Sequence, residues 1–197
     1  MTVTIKSLRG LLCLRRLGVA AAAVFLLSAL PLPGGLSLSA AKDESSFKEG
    51  EIKAAFVYNF AKFVEWPSGA FKDVQSPFTI CVLGKHPFGN ALDSLGQKSV
   101  GNRKIDVRFV QDPSDIEKCH ILFISASERN SLPQILKQAK NDRTLTVSDM
   151  KGFSEAGGII TLVSTGEKMV FEVNLTAASQ TSLKISSKLL QLGKVVK

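Results

Sequence analysis

The groups equipped for chemistry in this chain are few: three cysteines, two histidines, and short polar stretches that follow apolar runs. Cys81 sits inside the run Phe78–Leu83, and Cys119 opens the run His120–Ile124. If those runs are neighbouring strands, the two sulfurs come within bridging reach and close a 38-residue loop. Two buried thiols acting as small hydrophobes are the other reading. The segment Gly84-Lys85-His86-Pro87-Phe88-Gly89, the pair Ser125 and Ser127, and Asp149 each follow an apolar run. In a parallel sheet such loops gather at the carboxyl ends of the strands, where α/β domains bind ligands. They form a possible ligand cleft, although Gly84–Gly89 has neither dinucleotide-site nor P-loop spacing and also reads as a tight turn into a helix. No Gly-x-Ser-x-Gly elbow or His-Glu-x-x-His helix is present, so no catalytic residue is assigned and a hydrolase has little support. His86 is its only plausible base, because His120 lies in an apolar run and reads as core. First-turn helix positions explain Asp112, Asp115 and Glu117 without catalysis. Two histidines and three cysteines are too few for a structural zinc site, and no cofactor motif appears.

The elements that must position these residues are legible as a pattern. Residues 42–49 are a polar leader, within which Ser46-Phe47-Lys48-Glu49 has capping-box spacing. The helix it opens sets Ile52, Phe56, Asn59, Phe60, Phe63 and Val64 largely on one face and stops at Pro67. Strands are expected at 78–83, 105–110, 120–125 and 144–148, with helices around 88–96, 113–118 and 131–140. The near-continuous apolar runs suit strands buried on both faces of a parallel sheet. Ile159–Val163 and Met169–Val173 read as a β-hairpin around Ser164–Lys168. A final helix from about Thr176 aligns Ala178, Ser182, Ile185, Leu189, Leu192 and Val196. Asn174-Leu175-Thr176 matches a glycosylation sequon but reads as that helix's start. The expected fold is a single doubly wound α/β domain with a mostly parallel sheet, flanking helices, a C-terminal β-hairpin and a final helix.

Composition sets the class. With 45% hydrophobic and 21% charged residues over 197 positions, the chain is globular rather than disordered. Its formal charge of +8 is uneven. Lys6, Arg9, Arg15 and Arg16 precede the uncharged run Leu17–Leu30, and Ser39-Ala40-Ala41 offers a cleavage site, so residues 1–41 read as a signal peptide. The 14-residue run is short of the roughly 20 needed to span a bilayer. Cleavage removes four positive charges and no negative ones, leaving +4 on 156 residues. That is no nucleic-acid footprint, and the mature chain is not expected to span a membrane. Cys13 leaves with the signal, and Cys81 and Cys119 remain as an even pair in an oxidising compartment, which favours the disulfide at roughly 3–4 kcal/mol of stabilisation.

Most aromatic residues of the first helix belong in the core. Tyr58 and Trp66 fall outside its densest stripe, and such residues are enriched among interface anchors. With Phe171, Glu172 and the end of the last helix, they are the candidate partner-binding surface.

In order along the chain, Lys53–Pro67, Gly84–Phe88, Ile121–Ile124, Leu145–Asp149, Phe153 with Gly157-Gly158, Phe171–Asn174, and Ser186–Leu190 with Val195-Val196 resemble the YfiR family of exported bacterial regulators. The resemblance covers residues 50–197. It implies a periplasmic α/β protein, often a homodimer, that binds the periplasmic sensor part of an inner-membrane diguanylate cyclase. In that family's best-known arrangement binding represses cyclic di-GMP synthesis, and envelope redox stress relieves the repression. Cys81 and Cys119 match one family disulfide, but the second pair has no counterpart near Phe153 or Ile159-Ile160, which puts redox switching in doubt. Relatives are also fused to sensor kinases. The expected function is therefore a non-enzymatic periplasmic repressor. The alternative is a small-molecule sensor feeding a sensor kinase or transporter through the strand-end cleft.

Overall fold

The computed structural model describes residues 38–111, 113–140, 143–166 and 168–196. Most of the expected signal peptide, residues 1–37, lies outside them. The first element is helix α1 (Leu38–Phe63), which starts eight residues ahead of Ser46. The polar leader is therefore helical, and Ser46–Glu49 lies within α1 rather than at its start. Residues 38–49 contain neither proline nor glycine, so nothing in that stretch stops the helix from extending upstream.

The strands are β1 (Val64–Glu65), β2 (Phe78–Leu83), β3 (Ser99–Val100), β4 (Arg103–Val110), β5 (Ile121–Ile124), β6 (Leu145–Ser148), β7 (Ile160–Ser164), β8 (Met169–Asn174), β9 (Lys184–Ile185) and β10 (Lys194–Val196). Between them lie α2 (Ala91–Gly96), α3 (Leu132–Ala139), α4 (Leu175–Ser179) and α5 (Ser187–Leu192), with 3-10 turns at Ser68–Ala70, Pro113–Lys118 and Ala126–Ser131. Eight strands form one sheet in the order β10-β8-β7-β6-β5-β2-β4-β3. The neighbours from β4 through β2, β5 and β6 to β7 are parallel, β8 returns antiparallel to β7, and β3 is a short antiparallel flap on β4. Because β4 lies on one side of β2 and β5 on the other, strand order reverses between β2 and β5. That is the switch point of a doubly wound sheet.

Every residue of β2, β5 and β6 is buried, Thr146 and Ser148 of β6 through hydrogen bonds to Ile159 N–H and the Ile124 carbonyl. The edge strand β4 is not: only Ile105 and Val110 are buried, and Phe109 is exposed. One face of the sheet packs on α1, α2, α4 and α5 through Ala54, Val57, Phe60, Leu92, Leu95 and Leu189. The other packs on α3 and the turn at 113–118 through Ile116, Leu132, Ile135 and Leu136. The buried line of α1 is rotated from the expected stripe, running through Gly50, Lys53, Ala54, Val57, Phe60, Ala61 and Val64 and leaving Ile52 exposed.

The largest departure is at the C-terminus, where one long helix gives way to α4, β9, α5 and β10. Gln180-Thr181-Ser182 ends α4, the Ser186 hydroxyl accepts from Leu189 N–H to start α5, and Gly193 ends it. Gly193 lies where an added Cβ would meet the Phe171 ring. The helical spacing of Ala178 and Leu189 arose because separate short elements pack on one face. The stripe fails at Leu192, which is 73% exposed.

Candidate functional site

The strand-end loops do converge at the switch point, but hydrogen bonds sew them together. Gly84 follows β2 at φ +85, a left-handed conformation that favours glycine, and an added Cβ there would collide with the Ser127 and Glu128 side chains. Lys85 N–H donates to Ser127 Oγ at 3.0 Å, Ser125 Oγ donates to the Lys85 carbonyl, and Ser127 Oγ donates to Glu128 at 3.0 Å. Ser125 also caps the following 3-10 turn. The two serines thus tie the β5 loop to the β2 loop. What remains open is a cavity of about 560 Å³ on the β4 side, walled by Gly84, Lys85, His86, Phe109, Ser127 and Glu128. His86 leans over Phe109 with ring centroids 4.8 Å apart.

Asp149 belongs to a different arrangement. It follows β6 and receives Lys53 Nζ of α1 at 2.6 Å on Oδ2, while the same ammonium reaches Glu49 Oε1 at 2.7 Å. Burial opposes the Lys53 charge, but the hydrogen bonds to Asp149 and Glu49 and the attraction of both carboxylates outweigh it, so its pKa is raised. The second Asp149 oxygen is buried without a hydrogen-bond partner. Lys53 was not among the expected site residues; its signal was a lysine on the helix face that turns inward. Among the described residues, no group of three or more His, Cys, Asp or Glu side chains is placed to hold a metal ion.

Of the four expected partner-binding residues, Glu172 alone lies at an open face. Tyr58 is half-buried; its hydroxyl donates to the Ser99 carbonyl at 3.2 Å, and the ammonium groups of Lys62 and Lys98 lie over its ring. Trp66 donates through Nε1 to the carbonyls of Arg143, at 2.9 Å, and His120, and stands edge-on to Phe78. Phe171 points inward at 3% exposure, packed on Phe56 and Phe60. Alternation along β8 explains the split: Phe171 and Val173 face the core under α1, while Val170 and Glu172 face the other side. No residue of β7, β8 or β10 joins the second core layer, so that side of the hairpin is partly open. Val170 supplies its exposed apolar surface, and Glu172 accepts from Lys194 Nζ at 3.0 Å. Beside them a cavity of about 500 Å³ is lined by Asp149, Glu155, Thr161, Val163 and Glu172.

The two other sequence features close up as structure. Cys81 and Cys119 form a disulfide, with Cα atoms 5.7 Å apart, buried between the sheet and α3. Asn174 is buried, donating to the Ser154 carbonyl and capping α4, so the sequon reads as a helix start.

The profile of the YfiR/HmsC-like family matches residues 50–194, nearly the whole described body. The chain belongs to the YfiR/HmsC-like family. This membership supports a regulatory role in the periplasm. Among the described residues no helix is long and apolar enough to cross a membrane. A solved structure of a conserved domain protein from Vibrio cholerae O1 biovar El Tor str. N16961 is similar at a TM-score of 0.50 and 13% identity. The likeness covers 75% of this YfiR/HmsC-like chain and 60% of that one, and it shows the fold alone.

Proposed function

We propose that this protein is a non-enzymatic periplasmic regulator that binds the periplasmic sensor part of an inner-membrane diguanylate cyclase and represses cyclic di-GMP synthesis. The observation that carries the reading is the open side of β7, β8 and β10, where Val170, Glu172 and Lys194 lie beyond the second core layer. A regulator of this kind acts by binding the inactive conformer of its partner more tightly than the active one. The face sets the exposed Val170 beside the Glu172–Lys194 ion pair, apolar area flanked by charged groups, as a recognition surface with a polar rim does. Tyr58 and Trp66 serve it by holding α1 and the segment after it to the sheet.

The test is capture of a membrane-anchored diguanylate cyclase from envelope extracts, with cyclic di-GMP measured in a deletion strain. Deletion raises cyclic di-GMP, and Glu172→Lys reproduces the rise while the protein accumulates at its normal level. Unchanged cyclic di-GMP on deletion, with no cyclase captured, removes the repressor reading. The cavity between Lys85, His86 and Phe109 favours a second reading, a small-molecule sensor feeding a kinase or transporter, because strand ends beside a switch point are where such ligands bind. That reading requires a ligand-dependent rise in melting temperature that His86→Ala abolishes.

A further inference from the structure

The end of the sheet at which β2 and β4 begin is rich in lysine. Lys62 lies in the last turn of α1, Lys72 and Lys98 precede β2 and β3, and Lys104 stands opposite Ser99 at the start of β4. All four are exposed, and among the described residues none ion-pairs with a carboxylate. The neighbouring carboxylates are engaged elsewhere: Asp73 accepts from Gln75 N–H and the Ser76 hydroxyl, and Glu65 stands opposite Lys184. The Lys62 and Lys98 ammonium groups both lie over the Tyr58 ring, 5.5 and 4.7 Å from its centre. Two like charges drawn to one ring repel each other, and a bound anion relieves that repulsion. Beside them residues 72–76 form a braced tip. Arg103, paired with Val100 of β3, donates through Nη1 to the Asp73 and Ser76 carbonyls at 2.8 and 2.7 Å and lies over the Phe71 ring. The brace holds out Val74, 81% exposed and the most exposed large apolar side chain described.

We propose that this end of the exported protein docks on the anionic outer leaflet of the inner membrane. Val74 enters the headgroup layer, and Lys62, Lys72, Lys98 and Lys104 meet lipid phosphates while their stems lie along the interface. An apolar tip fixed in advance loses little freedom on insertion. Charge complementarity selects the occupant, because lysines around an apolar tip match a negatively charged lipid surface. They stand on separate elements, which suits mobile headgroups that rearrange to meet them. Each lysine close to such a surface strengthens binding about fivefold, and salt weakens it. The cavity of Lys85, His86 and Phe109 lies at the opposite ends of the strands, so docking leaves it open to the periplasm. The proposal does not depend on which protein the hairpin face binds.

The experiment is co-sedimentation of the exported protein with vesicles of phosphatidylglycerol and phosphatidylethanolamine, against vesicles of phosphatidylcholine. The native chain pellets with the anionic vesicles at about 50 mM salt, is released at about 0.5 M, and ignores the neutral ones. Lys62→Ala and Lys98→Ala each weaken binding about fivefold, whereas Lys151→Ala, the same charge change at the other end of the strands, alters it less than about twofold. Val74→Trp places an indole at the tip, and its emission shifts to the blue on anionic vesicles alone, a gain that misfolding does not produce. A native chain that stays in solution at low salt overturns the proposal. A loss in Lys151→Ala equal to that in Lys98→Ala also overturns it, since net charge alone would then account for binding. So does an indole that remains unshifted on the vesicles. Loss of cyclase capture in the Lys62→Ala/Lys98→Ala chain, with vesicle binding intact, would assign the patch to a protein instead.

Discussion

His120 shows how one buried side chain sets a pH limit. Its ring lies between Phe71 and Phe78, with Nδ1 accepting from Thr79 N–H at 3.0 Å and Nε2 donating to the Ala70 carbonyl at 3.1 Å. Only a neutral ring satisfies both bonds, since protonation would turn Nδ1 into a donor facing a donor. Burial, above all, lowers its pKa from the ordinary 6.5, with the charges of Arg103 and Arg143 adding to the effect against the hydrogen bonds. A lowered pKa means that the unfolded chain binds the proton more readily. Stability is therefore fully present above pH 6.5 and is lost as pH falls from there toward the depressed folded value. The urea midpoint should drop between about pH 7.5 and pH 5, and His120→Asn, which does not titrate and whose amide oxygen can take the Nδ1 position, should flatten that slope while lowering stability at neutral pH through the lost Ala70 bond and ring contacts. An unchanged slope in His120→Asn would assign the acid sensitivity elsewhere.

At the scale of elements, Gly50 decides how closely α1 approaches the β2 loop. An added Cβ would lie 2.9 Å from the Pro87 and Phe88 carbonyl oxygens, which are backbone and cannot swing aside. Gly50→Ala gains about 1 kcal/mol in helix propensity and incurs about 1–3 kcal/mol of overpacking. The variant should come out less stable by about 1 kcal/mol in chemical denaturation, and a more stable variant would refute the close approach. The same competition between local preference and packing explains what was legible beforehand. Apolar runs identified β2 and β5 because burial on both faces leaves an uninterrupted signature, while the β7–β8 hairpin showed as two β-rich runs around the Ser164–Lys168 turn. Two-residue strands such as β1, β3 and β9 leave none, and α5 is too short to show a period. In the site, the loops could be gathered at the strand ends, and the disulfide follows from β2 and β5 being neighbours. The inward turn of Phe171 and the union of Asp149 with Lys53 depend on strand parity and helix rotation, which position in sequence does not disclose.

For the whole molecule, the buried Cys81–Cys119 bridge ties β2 to the start of β5 across the switch point. Replacing both cysteines with alanine frees a 38-residue loop in the unfolded chain and should lower stability by about 3–4 kcal/mol, read as a shift in denaturation midpoint. A change below about 1 kcal/mol would mean that the unfolded chain gains little freedom from losing the link. A second closure joins the ends of the body: β1 pairs with β9, Val64 opposite Ile185, and Ser186 N–H donates to the Phe63 carbonyl. The clasp at the C-terminal end of α1 comes from β9, which follows every strand but β10 in chain order. A chain cut ahead of Lys184 would keep Val57 and Phe60 packed on the sheet and lose that clasp, so the end of α1 would be the part to fray.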